Sequence, residues 1–285
     1  RSTGWWVIIL AMTSGLPILL IGSTLQAWYV EKGIDLLGVG SLTLVGMPYL
    51  FKWLWAPALQ RYQLIRSWDM RGWIVFFAVL LALGFWVLSR QNPEQHPVWT
   101  ASIALMIAVF SATFDTANDG YRTECLAPKD YAWGTIVHSS SYRLAMITGG
   151  GGALLLADAF GWAMMYTCMA ALFLVSAGLV MWMPPLDTKL TQGEPASLWE
   201  PITLLWQRPR CLEWIIFLIL CSFSYACFNA LSMPFALNVL NFSLSFVGLV
   251  FKFIGIPMIV VGALLGGLLL NRVAFFQAIV FAIIL

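Results

Sequence analysis

Charge is the scarcest property of this sequence. Asp, Glu, Lys and Arg make up 10% of its 285 residues, against roughly 25% in an ordinary soluble domain. The formal net charge of +2 offers no basic surface to phosphates and excludes a nucleic-acid module. The five cysteines (Cys125, Cys168, Cys211, Cys221, Cys227) are odd in number and show no CxxC spacing. They read as free thiols packed in helices, so neither a disulfide framework nor a zinc site is expected. HExxH, GxSxG and paired Cys–His spacings are all missing, so no enzymatic chemistry, metal or cofactor is expected. His96 reads as a solvated loop residue and His138 as a satisfied polar residue.

What the chain has instead is apolar surface. It is 61% hydrophobic, with 15 Trp and 19 Phe, and its mean hydropathy is +0.85, which excludes a soluble enzyme. The apolar runs are continuous and lack the alternation of a transmembrane barrel, so the spanning elements are helices. About 20 apolar residues cross a bilayer as a helix. Eight such helices are predicted, near Trp5–Val30, Val39–Leu59, Gly72–Ser89, Val98–Gly120, Gly134–Asp158, Gly161–Met183, Glu213–Val239 and Ser245–Leu270, with a ninth starting near Val273. The segment Pro184–Leu212 carries Pro184, Pro185, Pro195, Pro201 and Pro209 and reads as a linker with one short surface helix around Leu198–Trp206. Arg1 in place of an initiator Met, and Leu285 inside the run Phe275–Leu285, predict a piece of a longer chain. No cleavable signal peptide is expected, because the first run is long and leads straight into further spans.

Lys and Arg set the orientation. Connectors after the even-numbered helices hold Arg61, Arg66, Arg71, Arg122, Lys129, Lys189, Arg208, Arg210 and Arg272, while the others hold only Lys32 and Arg90. Those connectors, and the N-terminus, are therefore expected in the cytoplasm. Six helices, a cytoplasmic linker and a second set of helices resemble the two six-helix halves of the major facilitator superfamily. The expected fold is an all-α polytopic transmembrane bundle with an incomplete second half. Residues 1–184 form the first six-helix bundle, 185–212 the linker, and 213–285 two helices and part of a third. In that superfamily the first, second, fourth and fifth helices of a half border the cavity, and the third and sixth lie against lipid. The predicted third and sixth helices here carry no charge at all.

The few charges inside the runs are the functional suspects. An unpaired charge there costs several kcal/mol, with estimates from about 2.5 to over 10. Lys52, Asp115 and Arg143 are expected at similar depth, roughly 8–15 Å from the cytoplasmic ends at about 1.5 Å per residue. Asp119 lies one turn below Asp115 on the same face. Asp115 is read as a proton-coupling acid, with Asp119 and Lys52, whose partnership with Lys52 or Arg143 changes between states. The alternative is a static ion cluster tying the helices together. Arg143 suits an anionic cargo, because its fork grips carboxylates bidentately. Lys252 meets cargo nearer the outside or else snorkels outwards. Gln26 lies on the polar side of the first helix, and Trp28 and Tyr49 offer rings to a sugar, although aromatic belts explain most tryptophans more cheaply. Gly149 and Gly151 in the fifth helix, and Gly262 and Gly266 in the eighth, are expected at close helix contacts.

Several stretches are similar to the muropeptide permease (AmpG-type) branch of that superfamily. They are Ser14-Gly-Leu-Pro and Ser23-Thr-Leu-Gln-Ala-Trp28, then Tyr49-Leu-Phe-Lys52-Trp-Leu-Trp-Ala-Pro57 with Arg61-Tyr62. Asp115-x-x-x-Asp119, Tyr142-Arg143-Leu144 and Leu156-Ala-Asp158 complete the set. The resemblance implies a bacterial inner-membrane protein, functional as a monomer, that imports anhydro-muropeptides from periplasm to cytoplasm with protons. The partners it implies are a small anionic substrate, protons and the lipid bilayer. Two positions depart from the pattern. Gln60 stands where the family carries a gating Asp, and the seventh helix reads Cys221-Ser-Phe-Ser-Tyr-Ala-Cys-Phe-Asn229 in place of a charged patch. A carboxylate-rich siderophore is the alternative cargo, and a non-transporting membrane receptor the alternative class.

The charge asymmetry makes one prediction of topology. A cysteine placed at Gln192 in the full-length protein is expected to stay unlabelled by an impermeant thiol reagent added to intact cells. Labelling from outside would reverse the whole arrangement.

Overall fold

The computed structural model describes residues 3–62, 64, 69–126, 130–185, 203–204, 206–234, 240, 258, 261–262 and 265. Among these the regular elements are all helical, and the fold is an all-α, multi-pass bundle. Four stretches of the described residues are long and apolar enough to cross a bilayer: Trp5–Glu31, Asp69–Ser89, Pro97–Cys125 and Trp162–Val180. Most of the expected eighth helix, with Lys252 and Gly266, all of the ninth and most of the linker lie outside the described residues.

The first expected helix forms as α1 (Thr3–Ile21) and α2 (Ser23–Glu31). Pro17 has no N–H to give to the Thr13 carbonyl, and Gly22 leaves helical geometry at φ −92°, ψ −109°. The second differs more. It is a chain of short pieces, α3 (Leu36–Ser41), a 3₁₀ turn Leu42–Gly46, α4 (Met47–Phe51), a second 3₁₀ turn Lys52–Leu54, and α5 (Ala56–Arg61). Pro48 and Pro57 each open a new segment, because each removes an N–H that a continuous helix needs.

The third and fourth expected helices are α6 (Asp69–Ser89) and α7 (Pro97–Cys125). At 29 residues α7 is about 43 Å long, longer than the roughly 30 Å hydrocarbon layer, so its charged last turn need not sit in hydrocarbon. The fifth runs as α8 (Tyr131–Ile147), a π-helical turn Thr148–Gly152 and α9 (Ala153–Phe160). Gly161, at φ +82°, ends it in a conformation that side chains rarely adopt. The sixth is α10 (Trp162–Val180). A further helix, α11 (Cys211–Pro234), belongs to a second compact unit, while α1–α10 make up the first.

Packing in the first unit has two parts. α10 lies along α6, and their rings stack: Phe85 on Phe173 at 5.5 Å and on Tyr166 at 6.2 Å, with Phe114 of α7 meeting Phe173 edge-on at 6.2 Å. The outer faces of this pair are bare apolar side chains such as Leu83 and Val175, which in a bilayer meet lipid. The other part joins α1 to α8 through glycines. A Cβ at Gly15 would come 2.6 Å from the Tyr142 carbonyl oxygen, and one at Gly149 would come 2.8 Å from that of Leu16. Gly149 thus makes a close contact, and its partner is the first helix. At Gly151 and Gly262 an added Cβ meets nothing within 4 Å among the described residues.

Gly15→Ala and Gly149→Ala are therefore expected to destabilise the protein despite the better helix propensity of alanine. Overpacking of about 1–3 kcal/mol outweighs a propensity gain of about 0.5–1 kcal/mol. Gly151→Ala is expected to be neutral or stabilising. Thermal unfolding of the three full-length variants in detergent checks this, and an unchanged midpoint for Gly15→Ala would refute the contact.

Candidate functional site

The broken second helix creates the site. A 3₁₀ turn repeats every three residues, so side chains at i, i+3 and i+6 eclipse one another where an α-helix would fan them apart. Lys52 opens the turn Lys52–Leu54, and with Tyr49 of α4 before it and Trp55 just after it it faces α7 as a comb. The Tyr49 hydroxyl donates to Ser111 Oγ at 2.7 Å, Trp55 Nε1 donates to Thr113 Oγ1 at 3.1 Å, and between them Lys52 Nζ donates to Asp115 Oδ2. The Asp115 side chain is 10% exposed and that of Lys52 32%. The carboxylate is therefore enclosed, while the ammonium keeps one open side.

One turn along α7, Asp119 accepts from Arg122 at 2.9 Å and faces His138 Nε2 of α8 at 3.8 Å. Asp119 also lines a cavity of about 210 Å³ with Ala56, Leu59, Met70 and Thr116. Between the two acids, Asn118 donates to Ser14 Oγ of α1 at 2.7 Å, and its own carbonyl oxygen is buried without a partner among the described residues. Asp115 and Asp119 thus sit in a polar seam shared by α1, α5, α7 and α8.

The expected layer of Lys52, Asp115 and Arg143 divides. Lys52 takes Asp115, and Arg143 makes no ion pair among the described residues. Among the described residues the half-buried Arg143 guanidinium reaches only Met146 Sδ, at 4.0 Å, and its fork is unspent there. Gln26 and Tyr49 come together on one cavity of about 120 Å³ between α1–α2 and the second-helix pieces. Trp28 differs from its sequence reading. It is 4% exposed, stacked on Trp162 at 5.6 Å and tilted against Tyr166 at 5.5 Å. It packs α2 on α10 and offers no ring face to a ligand in this conformation. The side chains of Gln60 and Arg61 lie outside the described residues.

Ser111, Thr113 and His138 went unremarked as parts of the site. For Ser111 a signal existed, since Ser111, Asp115 and Asp119 recur every four residues on α7. For His138 there was none, because its approach to Asp119 depends on how α8 docks.

No family model matches the chain. The anhydromuropeptide permease of Escherichia coli K12 is 33% identical over 276 residues, covering 96% of this chain and 56% of the relative. A putative transporter AmpG 4 of Rickettsia conorii is 24% identical over 286 residues, covering 96% and 69%. An uncharacterized protein of Haemophilus influenzae is 28% identical over 273 residues, covering 93% and 64%. The chain thus spans little more than half the length of the E. coli relative. The likeness covers nearly the whole of this chain, and what it resembles are proteins named as anhydromuropeptide permease and AmpG transporters.

Proposed function

We propose that the protein is a secondary transporter that imports anhydro-muropeptides across the bacterial inner membrane in exchange for the energy of entering protons. It has no enzymatic step. The observation that carries this reading is the enclosed Lys52–Asp115 pair, in a chain 33% identical to a protein named for that transport. That name favours muropeptide over siderophore, and transport over a receptor. In this reading residues 1–184 are the first six-helix bundle of a major-facilitator-type monomer, 185–212 a cytoplasmic linker and 213–285 the start of the second bundle. The N-terminus lies in the cytoplasm.

Coupling follows from the pair. While Asp115 is ionised, Lys52 holds the second-helix pieces against α7. A proton on Asp115 removes the attraction and frees the ammonium. Asp119, one turn along the helix beside a cavity of about 210 Å³, passes the proton between Asp115 and the aqueous side. Lys52, when freed, and Arg143 are cationic partners for cargo carboxylates, with Arg143 supplying the bidentate grip.

Asp115→Asn in the full-length protein is expected to abolish uphill accumulation of labelled muropeptide in energised vesicles, while binding and passive exchange persist. Arg143→Lys is expected to weaken binding about tenfold, since an ammonium cannot reproduce the fork. Undiminished accumulation by Asp115→Asn would move the proton path elsewhere, and failure of the unaltered protein to take up muropeptide would remove the cargo.

A further inference from the structure

Asp119 has two basic neighbours, and only one of them is bonded to it. Both address the same carboxylate oxygen. Arg122 Nη2 donates to Oδ1 at 2.9 Å, whereas His138 Nε2 of α8 stands 3.8 Å from it, beyond hydrogen-bond length. The His138 side chain is 19% exposed and makes no hydrogen bond among the described residues. The satisfied polar residue expected from the sequence is therefore unsatisfied there. Its one ring contact is Tyr142, tilted at 6.0 Å. The other charges around the ring are Asp115 of α7 and Lys52 of the second-helix pieces, which are paired with each other. α1, which packs along α8, has no titratable side chain.

We propose that His138 receives the entering proton from Asp119 and releases it on the cytoplasmic side. The inference deepens the proton-coupled reading and rests on it. With its own proton assigned to Nδ1, the neutral ring turns the Nε2 lone pair towards Asp119 Oδ1. Two acceptors then face each other, and they stay apart until a proton comes between them. The proton that leaves Asp115 lands on the Asp119 carboxyl. It moves from there to Nε2, which leaves Asp119 a carboxylate and His138 an imidazolium, and the imidazolium gives a proton to water. Arg122 attracts the carboxylate that the transfer leaves behind and repels the imidazolium, so the proton is passed on and not stored. Arg122 cannot take the proton itself, because a guanidinium stays charged. Imidazole is the side chain whose charge ordinarily changes near neutral pH. The competing route is release from Asp119 straight to water, since its side chain is 38% exposed and borders a cavity.

The measurement compares proton-driven uphill uptake of labelled muropeptide with cargo exchange at equilibrium, which needs no net proton release. Both use the full-length protein in right-side-out vesicles, whose lumen is the cytoplasmic face. His138→Gln keeps a polar side chain of similar size but cannot take a proton. It is expected to slow initial uptake at least about tenfold and exchange less than about threefold. His138→Ala is expected to show the same split, and imidazole in the lumen to bring its uptake back within about threefold of the unaltered protein under the same imidazole. That rescue is expected to grow as lumenal pH rises, because the free base is the acceptor, and a bulky buffer at the same pH is expected to give none. Undiminished uptake by His138→Gln would overturn the inference in favour of direct release from Asp119. Equal losses of uptake and exchange in both variants would make the ring structural and overturn it as well. So would a selective loss that imidazole leaves unrepaired. If the unaltered protein gathers no muropeptide under a proton gradient, the coupled reading fails and this inference fails with it.

Discussion

A carboxylate enclosed among apolar helices has few ways to exist, and that constraint organises the first unit. Stripping solvent from Asp115 costs several kcal/mol, which only a close cation, further hydrogen bonds or a proton can offset. The cation is Lys52, and it arrives from an element that a regular helix could not have aimed so well. The prolines at positions 48 and 57 and the 3₁₀ turn between them are thus conditions for the ion pair. A continuous helix would have spread Tyr49, Lys52 and Trp55 over about 120° of its circumference, where 3₁₀ spacing draws them towards one row.

The same exchange of regularity for a polar contact recurs in the fifth helix. The π turn Thr148–Gly152 shifts the local hydrogen-bond pattern, and Thr24 of α2 donates to the Gly149 carbonyl at 3.0 Å. The absence of side chains at Gly15 and Gly149 lets α1 and α8 approach closely enough for that bond. Both irregular elements border the polar seam, while α6, α7 and α10 run without interruption. Irregular backbone at membrane depth survives only where other protein groups satisfy it, so its position marks the inside of the bundle.

Much of this was legible in the sequence, and the rest fails for identifiable reasons. The all-helical class and the approximate ends of the first six helices follow from apolar run length, which the bilayer dictates regardless of tertiary contacts. The pairing of Lys52 with Asp115 was among the expected arrangements, because charges too costly to leave alone restrict their own partners. The choice of Lys52 over Arg143 was not legible. It depends on a three-residue 3₁₀ turn, and run length carries no information about that turn. Trp28 misled because a ring near a membrane face serves a ligand, an interface or a neighbouring helix equally well. Only the packing against Trp162 and Tyr166 decides. Gly149 was legible as a contact and illegible as to its partner, since a glycine reports that something approaches without saying what.

The two seams of the first unit differ in the kind of force that closes them, and this bears on where motion is cheap. α6 and α10 are joined by stacked rings and buried apolar surface, which separate only at the full cost of exposing that surface. Their ends are pinned as well. Arg71 donates to the Met183 carbonyl at 2.7 Å while bonding Asp69, and Tyr121 donates to the Pro184 carbonyl at 2.9 Å. Asp69 holds φ at +37° to do so, a backbone conformation that costs of order 1–3 kcal/mol and persists only where its surroundings enforce it. The seam between the second-helix pieces and α7 is closed instead by three discrete polar bonds. Such bonds can be exchanged for water, and the Lys52–Asp115 bond for a proton, with less loss than unstacking rings, because the replacement satisfies the same atom. In the proposed reading the bundle opens along the seam of exchangeable bonds, and Asp115, which holds the middle bond of the comb, is where a proton has the most leverage.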